Sequence, residues 1–306
     1  MTAEITPKAA HEAGRTYYQH LLTVRPKPLA VPQPVKSCNE SLIIDVSDIH
    51  FGQVNARDGK VVFDSAIAKQ YLQSFSRQVI RLAKYYISRA VVIDEIVIVL
   101  GGDIVDGDSI YSGHAMDVDS PALEQVRRVV DPLWQFAISL QKALPKIKKI
   151  RYEGVPGNHG RVASVRDNYL INNWDSVVYW SLSILAARHA GISVNYSDGY
   201  YHNFAVKGWP VHIRHIGSMG AWTPAQRAKV QGWQLDTGAR IMMFHHWHES
   251  GWQDCRGPIT WNGCFCGTTN YAERLGFRST PRQWVFGLNS KRITYRYEVD
   301  FMENGQ

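Results

Sequence analysis

"EIVIVLGGDIVDGD", Glu95 to Asp108, sets an apolar strand directly against a burst of negative charge. Ile96 to Leu100 is unbroken and rich in β-branched residues, which reads as a buried strand. It stops at Gly101 and Gly102, and Asp103, Asp106 and Asp108 follow. Either this is a solvated acidic loop, or the carboxylates hold something positive.

Outward from this stretch, strand-like and helix-like segments alternate. "SLIIDV" (Ser41 to Val46) is a short apolar strand, and Ser65 to Ala90 carries helical periodicity through Ile67, Tyr71, Phe75, Val79 and Leu82. Pro121 to Ala143 reads as a second helix, "KIKKIRYEGV" as a third strand and Trp174 to His189 as a third helix. "VHIRHIG" and "RIMMFHH" are later strands flanking a helix from Pro224, and "RITYRYEVDF" alternates as the last strand. This order predicts a layered α/β architecture, which places ligands at the carboxyl ends of its strands.

Each of five strands does deliver donor side chains there. "SLIIDV" leads to Asp48 and His50, "EIVIVL" to Asp103 and Asp106, "KIKKIRYEGV" to Asn158 and His159, "VHIR" to His215, and "RIMMF" to His246 and His248. Residues i and i+2 of an extended segment point the same way, so Asp48 with His50, and His246 with His248, can share one ion. Carboxylate, amide and imidazole together suit Mn²⁺, Fe or Zn²⁺ rather than a soft copper site. Glycines before Asp103 and Asn158 let the backbone turn so that each side chain reaches inward.

Taken in order, "DIH", "GDIVD", "GNHG", "HIG" and "HHWH" resemble the motif series of the calcineurin-like metallophosphoesterases. The resemblance implies an αββα sandwich with a two-metal site at the strand ends. It implies one divalent ion on Asp48, His50, Asp103 and His248, and a second on Asp103, Asn158, His215 and His246. Mn²⁺ is the expected metal, with Fe, Zn²⁺ or Mg²⁺ as alternatives. His159 would stabilise or protonate the departing oxygen, with Asp106 orienting it. Two departures stand out: Gly160 replaces an acid that would brace the loop, and His245 replaces a glycine, where it would crowd the site or add a ligand.

"SDIHFG" and "GDIVDGDSIYSGH" look closer to DNA-processing members, the Mre11/SbcD nucleases and the archaeal DNA polymerase D small subunit, than to protein phosphatases. "NGCFCGTTNYAERLGFRSTPRQ" is similar to a group of phage and prophage phosphoesterases. These resemblances imply a phosphodiesterase acting on DNA, a nuclease or exonuclease of phage or prophage origin. A phosphodiesterase for cyclic or other small nucleotides and a catalytically inactive binding scaffold are the alternatives.

Composition is compatible with this. The chain has 306 residues, 45% hydrophobic and 20% charged, which excludes extended disorder, and its formal charge of +7 suits a polyanionic partner. Arg161, directly after the GNH loop, is the expected phosphate contact, with Arg274 and Arg278 behind it. "KALPKIKKIR" enters a strand from the end opposite the metals and reads as a solvated face. Trp247, Trp252 and Trp261 read as packing residues before base-stacking ones, His114, His189 and His202 as surface or packing residues, and Asp108 and Asp117 as loop solvation. Cys38, Cys255, Cys264 and Cys266 lack a zinc-ribbon spacing and read as free thiols. Residues 1–40 read as an N-terminal helix and a proline-rich tether ("VRPKPLAVPQPVK"), and 41–306 as the catalytic domain. No segment reaches the roughly 20 apolar residues that span a bilayer, and none reads as a signal peptide. The expected location is therefore cytoplasmic, in the bacterial host if the protein is phage-encoded. A homodimer is allowed, but no heptad indicates one.

Overall fold

The computed structural model describes residues 39–162, 172–215, 223–274, 276 and 278–300, with five isolated helical residues, 12, 15, 16, 19 and 23. The chain divides into two compact units, Met1–Ser37 and Cys38–Gln306. The tether at 24–36 and most of the N-terminal helix lie outside the described residues.

The larger unit opens with β1 (Glu40–Val46), the hairpin β2 (Asn55–Arg57) and β3 (Lys60–Phe63), and α1 (Ser65–Ser88). Next come β4 (Ile93–Leu100), α2 (Ala122–Ala143), β5 (Lys149–Gly154), α3 (Trp174–Ala186) and β6 (Ile192–Tyr196). Then follow β7 (His202–Val206), β8 (Trp209–His215), α4 (Pro224–Thr237), β9 (Ile241–His245), β10 (Gly251–Asp254) and β11 (Pro258–Trp261). A short α5 (Asn270–Arg274) and the hairpin β12 (Arg282–Leu288) and β13 (Ile293–Asp300) close it. Helices begin where the side chains cap them: Asp64 accepts from Ile67 N at 2.8 Å, and Asn173 from Asp175 N at 2.9 Å. Thr223 and Gln226 form a capping box, with Pro224 in the first turn.

Two sheets stack face to face. One has the strand order β13-β12-β1-β4-β5-β6 and the other β10-β11-β9-β8-β7. Period-two alternation sorts each strand between layers. Leu42, Ile44, Ile96, Ile98 and Leu100 face α1–α3, whereas Ile43, Val97 and Val99 face the second sheet through Val211, Ile213, Ile241 and Met243. On the second sheet's outer face Met242, Phe244 and Ile259 pack under Val230 and Trp233 of α4. The result is the expected layered αββα sandwich.

Register sets the site. β1, β4 and β5 are parallel with Val46 level with Leu100 and Leu100 level with Gly154. In the other sheet β8 and β9 are parallel, with His215 level with His245. The five loops that carry candidate side chains therefore leave from matched heights. One expectation fails here: the basic run is not simply a solvated face. Arg151 is buried on β5, bonded to Glu95 at 2.9 Å and to Glu153, and Lys149 reaches Glu95 at 2.8 Å. The guanidinium is there because two buried carboxylates need a partner.

Candidate metal centre

The loops after β1 and β4 are zipped together by backbone bonds. Asp48 N donates to Gly102 O, His50 N to Asp103 O and Phe51 N to Ile104 O, each at 3.0 Å. This ladder holds the chain in an uncommon shape. Asp48, His50, Asp103, His246 and His248 all have positive φ, five of the nine such non-glycine residues among those described. That conformation costs on the order of 1 kcal/mol per residue, and such strain gathers at functional sites. Gly102 also has positive φ, and a Cβ there would lie 2.6 Å from Gly157 N. At Gly157 the requirement is space, since a Cβ would meet Asp103 Oδ1 at 2.1 Å.

These loops bring the seven candidate ligands into two adjoining groups that share Asp103. In one, His248 Nε2 lies 2.9 Å from His50 Nε2 and 3.5 Å from Asp48 Oδ1, and His50 Nε2 lies 3.9 Å from Asp103 Oδ2. In the other, His215 Nε2 lies 3.1 Å from Asp103 Oδ2 and 3.0 Å from Asn158 Oδ1, with the His246 ring 5.2 Å from the His215 ring. Asp48 Oδ1, Asp103 Oδ2 and His246 Nδ1 are buried with no hydrogen-bond partner. Orphaned carboxylate oxygens facing imidazole nitrogens are the donor set that a hard-to-borderline divalent ion satisfies, so the residues fit the group that the motif series implies. Asp103, His215 and His246 are close enough to share one ion, as are His50, His248 and Cys266.

Electrostatics favours the same reading. Burial works against ionisation of Asp103, yet His215, His159 and His50 outweigh it and hold the carboxyl well below the usual range. Burial likewise opposes protonation of His215, but Asp103 pushes it up to about 9. At His248 burial is outweighed by Cys264, Asp48 and Asp103, again to about 9. Protons thus sit where cations would. His246 goes the other way: burial, then His215, lowers it to about 4, leaving a neutral imidazole.

Asp106 is a hub rather than a partner of His159 alone. Its carboxylate lies 3.1 Å from His159 Nδ1, 2.7 Å from His50 Nδ1 and 2.7 Å from His114 Nε2. The bond to His50 Nδ1 leaves Nε2 toward Asp103 and His248, the usual way a carboxylate orients a ligating imidazole. Of the two roles expected of His114, packing holds and surface does not, and the ring is also a hydrogen-bond partner of the hub. A 3-10 turn at His114–Met116 folds the acidic loop back and buries the ring against Asp106. Nothing periodic in the sequence marks that turn.

The acid missing at Gly160 has a substitute from another element. Asp175, in the first turn of α3, accepts Ile104 N at 3.0 Å and Val105 N at 3.2 Å through one oxygen, and Gly157 N at 2.9 Å through the other. It thus ties the GDIVD and GNH loops together. Burial, reinforced by Asp103, raises it to about 6. The Asn–x–Asp start of α3, a cap followed by an acid in the first turn, was the signal available in the sequence. At Gly160 itself a side chain would strike Asn173 Oδ1 at 2.1 Å, so the acid has no room there.

His245 neither crowds the centre nor lines it. It is fully buried, with Nε2 2.9 Å from Asp45 Oδ1, and its ring fills the space beside Gly101. Asn262 and Gln283, from the NGC and PRQ stretches, form a second brace. Gln283 Oε1 accepts Asn262 Nδ2 at 2.6 Å and Ser47 N at 2.9 Å, which fixes the residue before Asp48. His212, three residues before His215 and so on the other face of β8, bonds Asn203 at 2.7 Å. Asp108 caps α2 through Ala122 N at 2.9 Å. Trp247 and Trp261 pack under α4, as expected of core residues. Cys255, Cys264 and Cys266 are free, and Cys266 Sγ lies 3.8 Å behind His248 at Nδ1.

A cleft of about 850 Å³ opens over the centre, lined by His50, His159, His248, Tyr111 and Arg274. Arg161 does not line it; its Nε is buried without a partner after the GNH loop. Among the described residues no helix is long and apolar enough to cross a membrane.

No protein family and no curated protein matches the chain by sequence. Several solved structures are similar in fold. One is vacuolar protein sorting 29 from Cryptosporidium parvum, at 11% identity and a TM-score of 0.42 over 88% of this chain and 94% of that one. Another is wild-type Vps29 complexed with Zn²⁺ from Entamoeba histolytica, at 9% and 0.36 over 85% and 99%. A predicted phosphoesterase from Streptococcus pneumoniae matches at 12% and 0.29 over 86% and 100%. What this chain displays in itself is a layered α/β sandwich whose strand ends gather two groups of side chains able to hold metal ions.

Proposed function

We propose that the protein is a divalent-metal-dependent phosphodiesterase acting on DNA, a nuclease of phage or prophage origin, with Mn²⁺ as its expected metal. The observation that carries this reading is the pair of orphaned oxygens, Asp48 Oδ1 and Asp103 Oδ2, buried among four histidines and an asparagine from five strand ends. Asp48, His50, Asp103 and His248 would hold one ion, and Asp103, Asn158, His215 and His246 the other. Two such ions would supply Lewis acidity to a phosphoryl group and lower the pKa of a water.

The chain's own chemistry centres on His159, which lines the cleft. Asp106 fixes its Nδ1 through carboxylate and carbonyl at 3.1 and 3.2 Å. In the metal-free chain burial opposes protonation, but Asp103 and Asp106 outweigh it and push His159 up to about 9. With Nδ1 fixed on Asp106, a proton held on the ring's other nitrogen would be available to a departing alkoxide oxygen. Arg274, across the cleft, supplies a guanidinium for a neighbouring phosphate. The DNA-directed part of the proposal rests on these cations, the net charge of +7 and the motif resemblance.

The test supplies Mn²⁺ and offers end-labelled single- and double-stranded DNA, cyclic nucleotides, and aryl phosphate mono- and diesters. Shortened DNA is expected, with Asp103→Asn and His159→Ala each lowering turnover about 10²-fold or more. Cleavage of small cyclic esters alone would replace DNA by a small nucleotide. Metal binding with no turnover of any ester would make the chain a scaffold.

A further inference from the structure

A second cleft, of about 630 Å³, lies where the edge strands of the two sheets meet, β10 on one side and β13 on the other. Its walls include Trp209, the first residue of β8, and Arg240, just before β9, whereas the metal centre forms at the far ends of those strands. At about 3.3 Å per residue, β8 alone puts roughly 20 Å between them. One phosphate cannot serve both places.

The cleft is built for oxyanions. Arg240, Arg256, Lys291, Arg292 and Arg296 line it against one carboxylate, Asp254. Among the described residues none of these five cations forms an ion pair. Two of the guanidiniums are parked on indoles, Arg240 3.7 Å over Trp209 and Arg296 4.9 Å over Trp252. Stacking holds the planar groups in place and leaves their N–H edges for a ligand. In the same walls, Trp209 Nε1 and Trp252 Nε1 are buried with no acceptor, an unfavourable state that acceptor oxygens of a ligand relieve.

We propose that this cleft is a second, non-catalytic site that binds the phosphate backbone of a nucleic-acid strand. Four cations on three loops and a fifth, Arg296, on β13 exceed what a single phosphate needs, and backbone phosphates and sugars are the oxygen-rich partners that Arg, Lys and neutral donors contact together. The proposal does not rest on the metal-centre reading.

The test uses full-length protein in EDTA, so that no strand is cut, and the anisotropy of a fluorescein-labelled single strand of roughly 20 nucleotides. Arg240→Gln/Arg256→Gln/Arg292→Gln, all at exposed positions, is expected to weaken binding at least tenfold. It should also flatten the plot of log affinity against log salt by about 2, near 0.7 for each phosphate no longer neutralised. Trp252→Phe, which removes one indole N–H, is expected to weaken binding two- to fivefold. Hydrolysis of bis(p-nitrophenyl) phosphate with Mn²⁺ should be unchanged in the triple variant. If the wild type shows no such hydrolysis, the metal-centre reading fails while the binding test still stands. Unchanged affinity and salt slope in the triple variant overturn the proposal, as does poly-glutamate displacing the strand as well as unlabelled DNA does.

Discussion

Asp175 ties two motif loops to α3, because three backbone N–H groups from those loops end on its carboxylate. Asp175→Ala leaves those donors buried and unpaired, so it is expected to cost about 2–4 kcal/mol, read from denaturant unfolding. Metal binding should weaken with it, and an effect below about 1 kcal/mol would mean that the loops hold themselves. A second residue makes a pH prediction away from the centre. Burial, then Arg214, lowers His212 to about 4, against about 6.5 in an unfolded chain. The native state therefore binds fewer protons between those values. The stability this confers is present above pH 6.5 and is lost as pH falls through 4, by at most about 3 kcal/mol. Compared at pH 7 and 4.5, wild type should lose stability relative to His212→Gln; parallel curves would contradict the assignment.

At the scale of elements, the brace between the 262–263 stretch and β12 makes the next prediction. Gln283 is fully buried, and its amide serves Ser47 N, Asn262 Nδ2 and Gly263 O at once. Gln283→Ala should lower stability by about 2–4 kcal/mol, and the loss should carry into Asp48, which follows Ser47. Thermal unfolding with and without Mn²⁺ checks both parts, since the variant should gain less from the metal. This brace also marks the border of what the sequence makes legible. Strands and helices could be read because their apolar residues repeat at fixed periods, and strand-end donors because a parallel sheet delivers them to one edge. His114, Asp175 and the Asn262–Gln283 pair obey no period; each acts through a neighbour that a turn or a distant element creates. Arg151 escapes the sequence for the same reason, since charge along a chain does not say whether Glu95 and Glu153 lie beside it.

The whole molecule separates two kinds of electrostatic demand. At one edge, carboxylates and imidazoles gather with oxygens left over; at the other pole, five cations gather around a single carboxylate. The first arrangement puts Asp103 where both proposed ions would share it. Because His215 and His248 are held near 9, protons must leave when metal arrives, so affinity should rise with pH up to that range. The decisive measurement is calorimetric titration of Mn²⁺ into EDTA-stripped protein at pH 7, repeated in buffers of different ionisation enthalpy and with Asp103→Asn. Two ions per chain are expected, with release of about one to two protons on filling both sites and loss of both ions in the variant. No binding, or binding that Asp103→Asn leaves intact, would contradict that sharing.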